Sequence, residues 1–245
     1  MLSDFIDYLM ENYSATITEL SETGGMKHCK KVPGERFIED DFRMIDLDVL
    51  ACKLPGSNLS SVDGLYVKEK DDQITFYLIE FKKMDLDNPQ DIFSSYYFLD
   101  KHRALCKQDC QFSKIYEISR KNLKDRNQVG LELKPLNSLI LIHRLFIQYE
   151  AYQNSNQSDS DNFLKNYSGD FSENEEILSE FSNIKYQYII VYDENAGFSP
   201  NPYNEGERIR HYFDFLRKLK PYPFTNAFQV NSDEFKSDTL VKIKS

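Results

Sequence analysis

SSVDGLYVKEKDDQITFYLIEFKK, residues 60–83, decides how the rest of the chain reads. Two runs rich in β-branched and aromatic residues, starting near Val62 and Ile74, flank the charged stretch Glu69-Lys70-Asp71-Asp72. Side chains alternate along a strand, so Asp63, Leu65 and Val67 share one face of the first run. Ile74, Phe76, Leu78, Glu80 and Lys82 share one face of the second. That second run is mostly apolar on both faces, which predicts a strand in the middle of a sheet. With Glu69 to Asp72 as the turn, Val67 faces Ile74 and Asp63 faces Leu78, which leaves Asp63 diagonal to Glu80 on the same side. A register slip of one residue would send Asp63 to the opposite side.

Val62-Asp63-Gly64 followed by Glu80-Phe81-Lys82 resembles the signature of the PD-(D/E)XK nuclease superfamily, an Asp opening one strand and Glu/Asp-x-Lys on the next strand of a hairpin. The resemblance runs from roughly Asp63 to Cys110, and Val62 stands where the family name has Pro. It implies a restriction-endonuclease-like α/β fold, a mixed central sheet flanked by helices. It implies Mg²⁺ (or Mn²⁺) held by Asp63 and Glu80, Lys82 positioning or activating the attacking water, and DNA as the substrate. It also implies a further acid from an early helix, for which Glu11 and Glu19 are candidates, with Glu39 another; Gln90 and Tyr96 would assist from a following helix. A relative that has lost catalysis and binds protein or nucleic acid through the same scaffold is the alternative. The residue types suit the chemistry: Mg²⁺ prefers carboxylate and water oxygens, acidifies water and screens the charge growing on a phosphodiester. Glu-x-Lys recurs at Glu132-Leu133-Lys134 and Glu234-Phe235-Lys236, so the tripeptide gains weight only from its hairpin and the facing Asp63.

The chain has 245 residues, enough for a single domain over 1–245, with an acidic flexible insertion at about 153–183 headed by NSNQSDSDN. A net charge of −10 argues against a general DNA-coating role. A local basic surface remains available, and the amphipathic stretch Glu207 to Lys220, with Arg208, Arg210, Arg217, Lys218 and Lys220, is the candidate for phosphate contact. No GxxxxGK phosphate loop occurs. Met1-Leu2-Ser3-Asp4 has no basic start and no apolar run behind it, and no stretch is long and apolar enough to span a membrane. A cytoplasmic protein with Cys29, Cys52, Cys106 and Cys110 as reduced thiols is the expectation. His102, Cys106 and Cys110 fall one helical turn apart but match no metal motif.

The remaining pattern predicts a helix over Ser3 to Glu22, ended by Thr23-Gly24-Gly25. A short helix or turn near 35–41 then leads into a strand from about Arg43 to Cys52, the first of a three-strand meander. Asp46 and Asp48 on that strand either approach the site or face solvent. Asn88-Pro89-Gln90-Asp91 opens a helix to about Lys107. Residues 112–118 and 130–134 read as strands, Pro135 to Tyr152 as a helix with His143 and Arg144 at a solvated edge, and 186–192 as a second buried strand. A short strand near 228–230 and a last amphipathic stretch complete the chain.

Overall fold

The computed structural model describes residues 2–22, 26–27, 29–36, 38–54, 60–82, 113–154, 181, 183–193 and 214–245, with the backbone alone at 26–27, 113–130, 154 and 214. In chain order the elements are α1 (Leu2–Tyr13), β1 (Ser14–Thr16), α2 (Ile17–Leu20), β2 (Met26–Lys27), β3 (Lys30–Lys31), β4 (Arg43–Asp46) and α3 (Leu47–Lys53). Then come β5 (Gly64–Lys70), β6 (Gln73–Lys82), α4 (Ser113–Asn154), β7 (Lys185–Tyr192), a 3₁₀ turn (Asp214–Leu219) and β8 (Asn226–Asn231). A terminal helix, α5, runs through Ser232–Glu234, a wider π turn at Phe235–Thr239, and Leu240–Lys244. The fold is mixed α/β, with a six-stranded sheet in the order β1-β4-β5-β6-β7-β8; β2 and β3 pair only with each other. β4, β5 and β6 form the antiparallel meander, and β6, β7 and β8 run parallel. The hairpin β5–β6 sits in the middle of this sheet, as its two-sided apolar sequence predicts.

Alternation along the strands divides the core between the two faces. Leu65, Phe76, Leu78, Tyr188 and Ile190 pack under α1, α3 and α4. Met44, Ile79, Phe81, Ile189 and Val191 pack against α2 and α5. α1 docks on α4 through Phe5, whose ring lies 5.2 Å from Phe146 and 5.4 Å from Tyr149. His143 is partly buried, its ring 4.2 Å from that of Phe181, and burial lowers its pKa, so it is no solvated edge.

Several boundaries differ from the sequence expectation, each for a local reason. The first helix stops at Tyr13; Thr16 caps a separate helix, accepting from the Glu19 N–H while the Glu19 carboxylate accepts from the Thr16 N–H. No helix forms among the described residues of 32–42. The strand at Arg43 ends at Asp46, because the Asp46 carboxylate takes the Val49 N–H at 2.9 Å and starts α3. Residues 113–118 and 130–134 are helical, not strands. Residues 83–112, and with them the helix expected from Asn88, lie outside the described residues, as does most of the acidic stretch at 153–183.

The hairpin turn is shorter than the charge pattern suggests. Lys70 pairs with Gln73, leaving only Asp71 and Asp72 in the loop. Both have positive φ, 51° and 60°, the left-handed conformation of a type I′ turn that Asp tolerates and glycine prefers. Asp72→Gly is expected to stabilise the protein by about 0.5–1 kcal/mol, read as a higher urea midpoint. An unchanged or lower midpoint would show that the Asp72 side chain offsets its backbone strain.

Candidate active site

The shortened turn moves the register by two residues, and an even shift keeps every side chain on its face. Gly64 pairs with Ile79, so Asp63, the next residue back, stands against Glu80 itself rather than diagonal to it. β5 begins at Gly64, and beyond Ile79 that edge of β6 has no strand partner among the described residues. Asp63 supplies the acceptor: its Oδ2 takes the Phe81 N–H at 2.6 Å. Its carbonyl takes the Leu47 N–H at 3.2 Å, which ties Asp63 to the start of α3.

Glu80 is fully buried, on the face covered by α4. Its carboxylate is gripped by a residue the sequence reading passed over. Lys134 Nζ donates to Glu80 Oε1 at 2.7 Å and to Oε2 at 2.9 Å. Lys82 Nζ lies 3.3 Å from Oε1, so the expected trio of Asp63, Glu80 and Lys82 does converge, with a second lysine added. That lysine belongs to Glu132-Leu133-Lys134, one of the recurrent tripeptides with no hairpin around it.

The placement of Lys134 follows from the proline beside it. Pro135 lies inside α4 and has no N–H, so the Leu131 carbonyl loses its helical donor. The buried Tyr188 hydroxyl of β7 donates to that carbonyl at 3.2 Å. One turn on, Ser138 Oγ donates to the Lys134 carbonyl and accepts the Val62 N–H, each at 2.9 Å. α4 is thus stitched to β7 on one side of Lys134 and to the residue before Asp63 on the other. The signal was present in the sequence: the buried spacing Ser138, Ile142, Leu145, Tyr149 extends back past Pro135 to Leu131, with Lys134 inside that stripe.

Two acids so close cannot both ionise freely. The Asp63 carboxyl is pushed up to about 8, first by burial and then by the charge of Glu80, against a smaller opposing pull from Lys134. Burial works to lower the Lys134 pKa, but Glu80 and then Asp63 outweigh it and hold the ammonium charged. Asp48 adds negative charge toward Asp63 and accepts from Ser61 Oγ at 2.7 Å. Asp46 is buried and its pKa raised by burial, with Lys31 3.9 Å away as partial compensation. Neither is a solvent-facing strand acid.

The other candidates do not join the cluster. Glu11 and Glu39 are exposed. Glu19 is spent on the cap of α2, against the opposite face of the sheet from Glu80. Of the basic stretch, 207–213 lies outside the described residues. Arg217, Lys218 and Lys220 sit near the loop that brings the Thr225 N–H to the Tyr186 carbonyl at 2.9 Å. Tyr186 is four residues before Ile190, the partner of Glu80. That is about 13 Å along the strand, toward the start of the parallel strands rather than their ends. A phosphate contact by these residues beside the carboxylates is therefore not what the register gives. Gln90, Tyr96, His102, Cys106 and Cys110 lie outside the described residues. Cys29 and Cys52, expected as free thiols, form a disulfide that joins the β2–β3 hairpin to α3. Cys29 has left-handed backbone, φ 56°, and its partner is 23 residues away in sequence.

Comparison with family models, with curated proteins and with solved structures finds no match to this chain. Among the described residues no helix is long and apolar enough to cross a membrane. Among the same residues no three acid, histidine or cysteine side chains converge as a ready-made metal cage. Mg²⁺ does not require one, since it usually keeps several waters and is bound through one or two carboxylates. Asp63 and Glu80 fit that donor set: they face each other, are hard oxygen ligands, and carry a mutual repulsion that a cation relieves.

Proposed function

We propose that the chain is a metal-dependent phosphodiester hydrolase acting on DNA, of the PD-(D/E)XK type. The observation that carries the reading is the position of Asp63 against Glu80, one residue beyond the last strand pair Gly64–Ile79, with Lys82 3.3 Å from Glu80. The meander followed by a long helix and a strand parallel to β6 supports it. Asp63 and Glu80 would hold the metal, which when bound acidifies water and screens the phosphodiester's developing charge. Lys82 is partly exposed where β6 ends, so its ammonium can hold a nucleophilic water or donate to a phosphate oxygen. Asp63 is fixed by the Phe81 N–H, which leaves its second oxygen for a cation.

Cleavage of single-stranded, duplex and branched DNA, assayed with Mg²⁺ or Mn²⁺, tests this. Asp63→Asn and Lys82→Ala are expected to lower the rate by about 100-fold or more without loss of secondary structure. Undiminished cleavage by both would refute the assignment. The grip of Lys134 on both Glu80 oxygens favours a second reading, a non-catalytic module that uses the same scaffold to bind protein or nucleic acid. Under it, calorimetry shows no Mg²⁺ or Mn²⁺ binding and no variant cleaves.

A further inference from the structure

Resting on the nuclease reading, we propose that Lys134 is the resident cation of Glu80, a positioning residue that a divalent ion displaces when it binds. One ammonium engages both oxygens of a fully buried carboxylate, at 2.7 and 2.9 Å, and those are the oxygens a metal would take. The contact is built rather than incidental. The Tyr188 hydroxyl on Leu131 and the Ser138 hydroxyl between Lys134 and Val62 fix the backbone on both sides of this residue. They deliver its ammonium to one place, while the flexible four-carbon stem allows it to withdraw. Lys134 keeps about a fifth of its side chain exposed (21%), so a path toward water exists.

The charge count points the same way. With Asp63 and Glu80 both ionised, as metal ligation requires, Lys82 and Lys134 balance them. Adding a divalent ion with both ammoniums in place leaves two excess positive charges in a poorly solvated site. Lys82 is the more exposed of the two at 33%, and its nearest approach to the carboxylate is longer, 3.3 Å to Oε1. Lys134 blocks both oxygens, so it is the one that must leave. In the metal-free protein Lys134 holds the Glu80 carboxylate in its ligating orientation and keeps a buried charge paired. Metal affinity is then set by the difference between two cations competing for one glutamate.

A purely structural lysine and an exchangeable one predict opposite signs. Calorimetry with Mn²⁺ and with Mg²⁺ on the full chain compares wild type, Lys134→Met and Lys134→Arg. Lys134→Met is expected to bind Mn²⁺ about ten-fold or more tighter than wild type. Lys134→Arg, which keeps a competing cation, stays at or below wild-type affinity. Binding by Lys134→Met alone would show a lysine that blocks the site and is not displaced, and would overturn the exchange. Wild-type binding with no gain in Lys134→Met overturns the exchange and leaves the metal site standing. Absence of binding by both proteins sinks the nuclease reading together with the exchange. Should Lys134→Met not fold, the wild-type protein decides. The NMR signal of its Lys134 ammonium, protected by the Glu80 pair, is expected to shift and exchange faster as Mg²⁺ saturates the site. A signal unmoved at saturation overturns the proposal.

Discussion

Lys134→Met is expected to cost about 3–5 kcal/mol in the metal-free protein at neutral pH, because it strands the Glu80 carboxylate inside the fold with its main partner gone. Lys82, 3.3 Å from one oxygen, offsets part of this and puts the value at the lower end. Against a total stability of about 5–15 kcal/mol for a domain, the loss is large. The partner substitution Glu80→Gln, combined with Lys134→Met, removes the stranded charge and should recover more than half of the cost. Urea unfolding of the two single variants and the double variant measures this as a coupling energy. Additive losses would mean that the two side chains do not stabilise each other, whatever their distance.

The second large effect is a dependence on pH that Asp63→Asn abolishes. Asp63 titrates at about 8 in the folded protein, against an ordinary value of 3.8, because it is buried beside Glu80. Between those limits the native state holds a proton that the unfolded chain has released. Stability from this group is therefore full below about 3.8 and is lost as pH rises through about 8. The local slope is up to about 1.4 kcal/mol per pH unit. Asn keeps an oxygen for the Phe81 N–H and carries no charge, so Asp63→Asn should exceed wild type by about 2–4 kcal/mol at pH 9 and match it near pH 4. Unfolding free energies at pH 5, 7 and 9 give the test, and parallel slopes for the two proteins would count against it. Lys134, with a raised pKa, loses its charge only in more alkaline solution and does not disturb this window. Such a gain above neutrality marks Asp63 as a residue the fold would be more stable without.

The site combines two kinds of information. Asp63, Glu80 and Lys82 were legible because strand alternation is strict. The turn was misread by two residues, yet parity survived and the same three side chains still met. The misreading has a plain cause: Glu69 to Asp72 are all charged, and charge does not show which residues take left-handed backbone. Asp46 and Asp48 were ambiguous because Ile45-Asp46-Leu47-Asp48-Val49 alternates like a strand, while Asp46 also caps a helix. Capping won because the Asp46 side chain reaches the Val49 N–H.

By itself the sequence determined the central hairpin, the face on which two acids and a lysine gather, and the second buried strand at 186–192 that joins it. Those are local properties, written in alternation and in apolar runs. Only the tertiary structure decided which cation sits on Glu80. Lys134 is 54 residues away, on a helix whose proline looked like a beginning and proves to be an interior position. Its meeting with Glu80 depends on a tyrosine hydroxyl from β7 reaching a carbonyl that the proline had left unpaired. No local rule specifies an ion pair between two segments that the fold alone brings within 3 Å, and the disulfide between Cys29 and Cys52 is hidden from the sequence for the same reason.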